Sequence, residues 1–266
     1  MSTEPDDLIR LTREGPLATI WLNRPTKRNA MSYSMWGTLG EAVVELAADA
    51  EIRVVVLRGS GDHFCAGADI TELSVSRRPD ERSFAQVNTD AESALARLAK
   101  PTVAFISGDC IGGGCALAID CDLRLATSDA RFGITPAKLG IVYPSASLER
   151  ATHLLGPAVT KRLLFTGELI SAAEALRVGL IDEIVDAADG AERLAILTGV
   201  LAARSLLTQA ATKSMVAAIK SHGHVLDDVR NHWNEVAQRA SDSAEGIAAF
   251  VEKRPPRFTW SGPDDD

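Results

Sequence analysis

The rest of this chain is organised around the stretch Pro101–Asp122, PTVAFISGDCIGGGCALAIDCD. Its first residues are β-branched and apolar and predict a strand, and three consecutive glycines, Gly112 to Gly114, then predict a tight turn. The apolar run that follows predicts the start of a helix. Because the first N–H groups of a helix have no partner within it, a negative oxygen is favoured at this turn. A turn that only packs a helix closely against a strand would require the same glycines.

The composition limits the classes of protein and of partner. The chain has 266 residues, of which 46% are hydrophobic and 24% charged, as in ordinary soluble domains. A net charge of -8 argues against nucleic-acid binding. No apolar run approaches the roughly 20 residues of a membrane span, and the acidic start MSTEPDD does not fit a signal peptide. The four cysteines form no CxxC pair, so we expect a reduced, cytoplasmic chain without a metal site.

Strand and helix patterns alternate along most of the chain. The order β-β-α-β-α-β-α-β-α-β, followed by helices, predicts an α/β fold with repeated βα units. We expect a core over 1–190 and a helical region over 191–266, the latter formed by two long helices near 191–220 and 224–252. Other expected segments are strands at 8–13 and 17–23, which would pair as a hairpin, a strand at 52–60, and helices at 31–50, 82–100 and 171–179. The first of these helices should bury a face formed by Leu39, Val43, Leu46 and Ala47, and Ser171 should cap the last. Asp69 is expected to cap a short helix at 69–73, and a helix that begins near Ser147 should restart at Gly156.

Several spaced motifs together resemble those of the crotonase superfamily, also called the enoyl-CoA hydratase/isomerase family. They are LNRPTKRNAMS (22–32), HFCAGADI (63–70), ISGDCIGGGCALAIDCDLRLA (106–126), FGITPAKLGI (132–141), LLFTGELISAAEALRVGLIDEIV (163–185) and AAFVEKRPPRF (248–258). The resemblance implies a crotonase-like spiral of ββα units with a C-terminal helical trimerisation region. It also implies a homotrimer or a hexamer (a dimer of trimers). The implied substrate is an acyl-CoA, with no separate cofactor because coenzyme A is part of the substrate.

The same resemblance implies the site. The backbone N–H groups of Ala68 and Gly113 would form an oxyanion hole for the thioester oxygen. Lys27 and Arg28 lie where the family often places a basic residue near the phosphates of coenzyme A, although both would also suit a solvated loop. Coenzyme A would lie along CAGADI, with contacts to Ala66, Ala68, Asp69 and Ile70. Phe250 and Lys253, from the C-terminal helix of one subunit, would contact the coenzyme A bound to a neighbouring subunit.

The chain departs from the family at the two glutamates that activate water in a hydratase. Ala116 stands where the first is expected, and Pro136 stands where the second is expected. Neither side chain takes or gives a proton, so hydration by the two-glutamate route is doubtful.

Tyr143 and Glu149 are the remaining candidates for chemistry. The stretch TPAKLGIVY, residues 135–143, is similar to the family's methylmalonyl-CoA decarboxylase, which has a tyrosine at the position of Tyr143. That enzyme has a histidine where this chain has Ala68, which weakens the analogy. Tyr143 would alternatively be a packed core residue. Glu149 is a candidate base for moving a double bond, or a first-turn helix acid.

Two hypotheses about function follow. The first is an acyl-CoA enzyme that stabilises a thioester enolate, with decarboxylation or isomerisation favoured over classical hydration. A hydratase that uses other residues stays an alternative within it, and Glu72 and Glu92 are further carboxylates that would approach the acyl pocket. The second is a non-catalytic acyl-CoA-binding protein that keeps the scaffold and has lost turnover.

Overall fold

The computed structural model describes residues 7–73, 75 and 80–262 of the chain, and two sheets organise them. The larger sheet has six strands in the spatial order β1 (Ile9–Glu14), β2 (Leu17–Leu22), β3 (Val54–Gly59), β4 (Thr102–Ile106), β6 (Leu123–Thr127) and β9 (Glu183–Val185). The smaller sheet joins β5 (Asp109–Ile111), β7 (Arg131–Gly133) and β8 (Ile170–Ser171). The β1–β2 hairpin and the β7–β8 pair are antiparallel, and the other pairs are parallel.

Ten helices accompany these strands in the described part of the chain, so the predicted α/β fold is confirmed. They are α1 (Tyr33–Ala48), α2 (Ile70–Leu73), α3 (Phe84–Arg97), α4 (Gly113–Asp120), α5 (Ser145–Thr166), α6 (Ala172–Arg177), α7 (Gly190–Ala202), α8 (Leu206–His222), α9 (Asp227–Arg239) and α10 (Asp242–Glu252). Single 3₁₀ turns occur at Pro25–Lys27 and Pro136–Lys138. The predicted hairpin and the helix near 171–179 are both present.

Both faces of the larger sheet are covered, which explains the apolar run Val54 to Leu57 in β3. Val55 and Leu57 point into the main core, together with buried side chains of α1, α3 and α4. Val56 points to the other face, where Leu194 of α7 packs against it in a second cluster. Because α7 covers the sheet, the first helix of the predicted 191–266 region shares a core with the strands. The division at residue 190 stays a prediction.

Local side-chain caps place several helix ends. Ser32 accepts a hydrogen bond from the Met35 N–H and begins α1, and Ser83 with Gln86 forms a capping box at the start of α3. The predicted cap of α6 is confirmed, since Ser171 accepts from the Glu174 N–H. The predicted break at Gly156 is also present, because this residue leaves the helical conformation within α5.

The prediction of two long C-terminal helices is wrong, since four helices occupy this part. The first predicted helix is divided near Ser205, whose hydroxyl caps α8 by accepting a hydrogen bond from the Thr208 N–H. The axes of α7 and α8 meet there at 95°. The Ser205 hydroxyl also donates to the buried Asp242, 2.6 Å away at the start of α10. Helical periodicity carries no information about a contact between residues this far apart in the chain. The apolar pattern therefore predicted continuous helices across the breaks.

Among the described helices, no single one is both long and apolar enough to cross a bilayer. The bent pair α7–α8 reaches that length and composition only when the two helices are taken together.

Candidate functional site

The glycine turn Gly112 to Gly114 places unpaired amides at the start of α4. Gly112 has φ 55°, in the region that favours glycine, and its carbonyl accepts the first hydrogen bond of the helix from the Ala116 N–H. The N–H of Gly113, the first helical residue, therefore has no partner inside the helix. It donates no hydrogen bond elsewhere within the described residues.

A second unpaired amide belongs to Ala68. Met31 pairs with this segment as a short parallel bridge: its N–H donates to the Gly67 carbonyl at 2.7 Å and its carbonyl accepts from the Asp69 N–H at 2.8 Å. Because hydrogen bonds alternate along an extended strand, the Ala68 N–H points away from Met31. In the described chain it too donates to no other group.

The two amides are neighbours. A Cβ atom built on Gly113 would lie 3.5 Å from the Ala68 nitrogen, and one built on Gly67 would lie 3.4 Å from the Gly113 nitrogen. Gly67 has φ 99° and its Cβ would come within 2.9 Å of the Ile111 carbonyl oxygen, so glycine is needed there for the close approach. The turn thus brings together two donors from parts of the chain 45 residues apart.

The segment that carries Ala68 presents alternate residues to one side. Ala66 and Ala68 are partly exposed and Ile70 is exposed, whereas Gly67 and Asp69 between them are buried. This period of two gives the three predicted coenzyme A contacts a common face. The side chain of Asp69 points to the opposite face, so the structure separates it from the other three.

Asp69 instead holds the segment around Ala68 in place through contacts on the buried face. Its carboxylate accepts from the Thr71 hydroxyl at 2.6 Å and forms a buried ion pair with Arg24 at 2.7 Å. These hydrogen bonds, that of Thr71 first, lower the pKa of Asp69 to about 2 although burial raises it. Asp69 also accepts from the Thr71 N–H, which confirms the prediction that it caps α2.

Lys27 and Arg28 lie beside the same segment. The Ala66 N–H donates to the Arg28 carbonyl at 2.9 Å, and both basic side chains are exposed. Arg28 also contacts the buried carboxylate of Asp109 at 3.1 Å, which Arg131 contacts from the other side. Two guanidinium groups on one carboxylate leave an excess positive charge at this edge of the segment.

Ala116 and Pro136, at the two positions where glutamates were expected, carry no group that transfers a proton. Ala116 is buried in the first turns of α4, and Pro136 begins a 3₁₀ turn. Tyr143 lies just before α5, where its ring lines an apolar pocket of about 460 Å³ beside Ile141 and Phe165. Its hydroxyl is buried and has no hydrogen-bond partner in the described chain. Burial, and then the negative charge of Glu92, raise the pKa of Tyr143 well above its usual value.

No contact in the described chain links the remaining predicted residues, Glu149, Phe250 and Lys253, to the amides of Ala68 and Gly113. Glu149 is exposed on the second turn of α5, so the interpretation as a first-turn acid is wrong because the helix begins at Ser145. Phe250 is 86% exposed on α10 and Lys253 is exposed just beyond it. In a single chain, both side chains are therefore exposed to solvent.

Two features of the site were missed by sequence reasoning. Trp36 of α1 is 1% exposed, and its Cζ2 atom would lie 3.4 Å from a Cβ on Gly113. Ser147 of α5 donates to Glu92 at 2.6 Å. An apolar helical face predicts a core position for Trp36 but not its contact with a turn 77 residues away.

The comparisons with known proteins agree with this geometry. The family model for enoyl-CoA hydratase/isomerase matches residues 12–261. A short-chain-enoyl-CoA hydratase of Clostridium acetobutylicum is 32% identical, over 92% of this chain and 95% of that protein. A carnitinyl-CoA dehydratase of Salmonella typhi is 33% identical, over 96% and 98%.

Solved structures extend the match to the fold. The crystal structure of an enoyl-CoA hydratase/carnithine racemase from Magnetospirillum magneticum superimposes with a TM-score of 0.90 at 32% identity and covers 96% of each chain. The predicted resemblance and the crotonase-like fold are thereby confirmed. The chain belongs to the enoyl-CoA hydratase/isomerase family of the crotonase superfamily.

Proposed function

We propose that this member of the family is an acyl-CoA enzyme that stabilises a thioester enolate between the backbone N–H groups of Ala68 and Gly113. The observation that carries the proposal is the adjacency of these two amides, neither of which has a partner in the described chain. The relatives named above act, by their names, on CoA thioesters, which supports an acyl-CoA as the ligand.

The chemistry follows from the charge that develops on the substrate. When a thioester becomes an enolate, negative charge moves onto its carbonyl oxygen. Two fixed N–H groups, one of them at the positive end of a helix, stabilise that charge without reorganisation. The missing side chain at Gly113 leaves room for the oxygen in front of the Ala68 nitrogen.

The identity of positions 116 and 136 favours decarboxylation or double-bond isomerisation over classical hydration. Hydration needs a base for water and an acid for the adjacent carbon, and Ala116 and Pro136 supply neither. Decarboxylation needs no base, since loss of carbon dioxide itself leaves the enolate. The buried hydroxyl of Tyr143 would orient the leaving carboxylate.

We further propose that the working unit is a homotrimer or a dimer of trimers. The exposed Phe250 and Lys253 would then meet coenzyme A bound to a neighbouring copy, while Lys27 and Arg28 meet its phosphates from the same copy. Exposure of a large aromatic side chain at 86% supports a contact outside its own chain.

A panel of thioesters tests the function. Purified protein is incubated with crotonyl-CoA, a 3-enoyl-CoA and methylmalonyl-CoA, and products are separated by chromatography and identified by mass. We expect turnover of the 3-enoyl or the malonyl-type ester. Robust hydration of crotonyl-CoA would show that other residues replace the two glutamates.

The second candidate is a non-catalytic acyl-CoA-binding protein. The same paired amides would bind a thioester oxygen, and the alanine and proline at positions 116 and 136 would mark lost turnover. Tight binding without product from any thioester of a broader panel would favour this candidate.

A further inference from the structure

A groove of about 510 Å³ runs between α1 and α3, two helices that pack along each other. The small and apolar residues that line it include Trp36, Gly40 and Val44 of α1, and Val87, Ala91 and Ala94 of α3. From Trp36 to Val44 the groove follows α1 for roughly 12 Å, at the helical rise of about 1.5 Å per residue. Ligand pockets in proteins have volumes of this order and are lined mainly by apolar side chains.

Small residues on both helices leave the space for this groove. A Cβ atom on Gly40 would lie 3.7 Å from the Ala91 Cα atom, so a larger side chain at either position would enter the groove. Charged groups are confined to its rim. The four charged residues that line the groove are all exposed: Glu41, Glu45, Arg82 and Asp90. The inner wall is therefore suited to an alkyl chain and not to a polar or charged group.

Trp36 borders both the groove and the two amides. Its side chain lines the groove and is 1% exposed. Its Cζ2 atom would lie 3.4 Å from a Cβ atom on Gly113, and the Ala68 nitrogen would lie 3.5 Å from that same position. An acyl group held by the amides of Ala68 and Gly113 therefore meets the indole ring before it reaches the groove.

Apolar contacts hold the indole ring in this position. Trp36 Nε1 is buried and has no hydrogen-bond partner within the described residues. A buried indole N–H usually finds a partner, so hydrogen bonding does not account for the orientation of this ring. The property of Trp36 that matters at the boundary is therefore the size of its ring.

We propose that Trp36 limits the length of the acyl chain and separates the amides from an alkyl-binding channel, the groove between α1 and α3. This rests on the proposed function, since it requires an acyl-CoA bound at Ala68 and Gly113. In the wild type the acyl chain meets the indole ring after a few carbons and does not enter the groove. The substrate class is therefore a short-chain acyl-CoA. With a smaller side chain at position 36, a longer chain continues along α1 towards Val44.

The test measures the binding of butyryl-CoA and decanoyl-CoA by isothermal titration calorimetry. These saturated esters carry no double bond and no second carboxylate, so binding is observed without turnover. The wild type should bind decanoyl-CoA no more tightly than butyryl-CoA. Trp36→Ala should bind decanoyl-CoA at least about tenfold more tightly than butyryl-CoA, because each methylene that enters the groove is worth roughly a factor of four in affinity.

Further variants distinguish a length limit from a structural role. Trp36→Phe keeps a ring and should keep the wild-type ratio of the two affinities. Ala94→Phe, added to Trp36→Ala, fills the groove and should reverse the gain for decanoyl-CoA. Trp36→Leu is a smaller change that should shift the ratio in the same direction, and it serves if Trp36→Ala does not fold. Trp233→Leu, which truncates a buried tryptophan on α9, is the matched control and should keep the wild-type ratio.

The possible failures differ from one another. A wild-type ratio in both Trp36→Ala and Trp36→Leu would overturn the role of Trp36 and leave the proposed function intact. A wild type that already prefers decanoyl-CoA about tenfold would overturn the length limit in the same way. A wild type that binds neither ester would overturn the proposed function and this inference together.

Discussion

A Cβ atom on Gly113 would lie 3.5 Å from the backbone nitrogen of Ala68. That distance is ordinary contact for a protein atom, and Gly113 is not in a positive-φ conformation, so alanine fits the fold here. The same methyl group would occupy the space in front of the Ala68 N–H. The fold therefore permits a side chain at this position, whereas the proposed oxyanion site between the two amides does not.

Gly113→Ala should fold with unchanged or higher stability. Its turnover should fall by a factor on the order of 10²–10³, because a methyl group that blocks the Ala68 N–H should cost about as much as the removal of one oxyanion donor. Thermal unfolding and the rate on the preferred thioester measure the two effects. Gly199→Ala is the matched control, because Gly199 lies exposed inside α7 with no atom within 4 Å of its Cβ position. Full activity of Gly113→Ala would exclude this amide pair as the site of the oxyanion.

Tyr143→Phe should separate stability from activity. Because the hydroxyl is buried without a partner, its removal should leave the free energy of unfolding unchanged or raise it by up to about 1 kcal/mol. The rate on the preferred thioester should fall if the hydroxyl orients the acyl group. A variant with lower stability and full activity would instead identify Tyr143 as a packed core residue.

The ion pair of Asp69 with Arg24 should support stability over a defined pH range. The lowered pKa means that ionised Asp69 favours the folded state above about pH 4, by about 2 kcal/mol, and that this contribution disappears as the pH falls towards 2. Asp69→Asn should therefore be less stable by about that amount at pH 7. Urea unfolding of both proteins between pH 7 and pH 2.5 should show the difference narrowing only below pH 4. A constant difference would contradict this assignment.

Lys27→Ala tests the predicted phosphate contact without disturbing the fold. The Lys27 side chain is exposed and makes no hydrogen bond or ion pair within the described residues, whereas Arg28 also supports Asp109. We expect acyl-CoA affinity to fall about fivefold, or about 1 kcal/mol, with a weaker dependence on salt and unchanged unfolding. Lys220→Ala, which changes an exposed lysine on α8, is the control. Equal affinities would mark Lys27 as a solvated loop charge.

The strand–turn–helix at the glycines, the β1–β2 hairpin and the cap of α6 were all predictable, because each depends on residues close in sequence. The face of α1 was predicted less well. Leu39, Val43 and Leu46 are buried as expected, but Ala47 is exposed and Ala42 is buried instead. The difference arises because α3 packs along one side of α1 and sets which residues are covered.

Two features were readable without the structure: a helix begins near Gly113 with unpaired N–H groups, and Ala116 and Pro136 carry no acid. Both follow from residue identity and local backbone preference. Tertiary structure decided that the Ala68 N–H lies beside that of Gly113, that Asp69 turns away to Arg24, and that Glu92 is buried against Ser147. These contacts join residues that are 45 to 55 positions apart in the chain, so local backbone preference does not specify them and only tertiary packing brings them together.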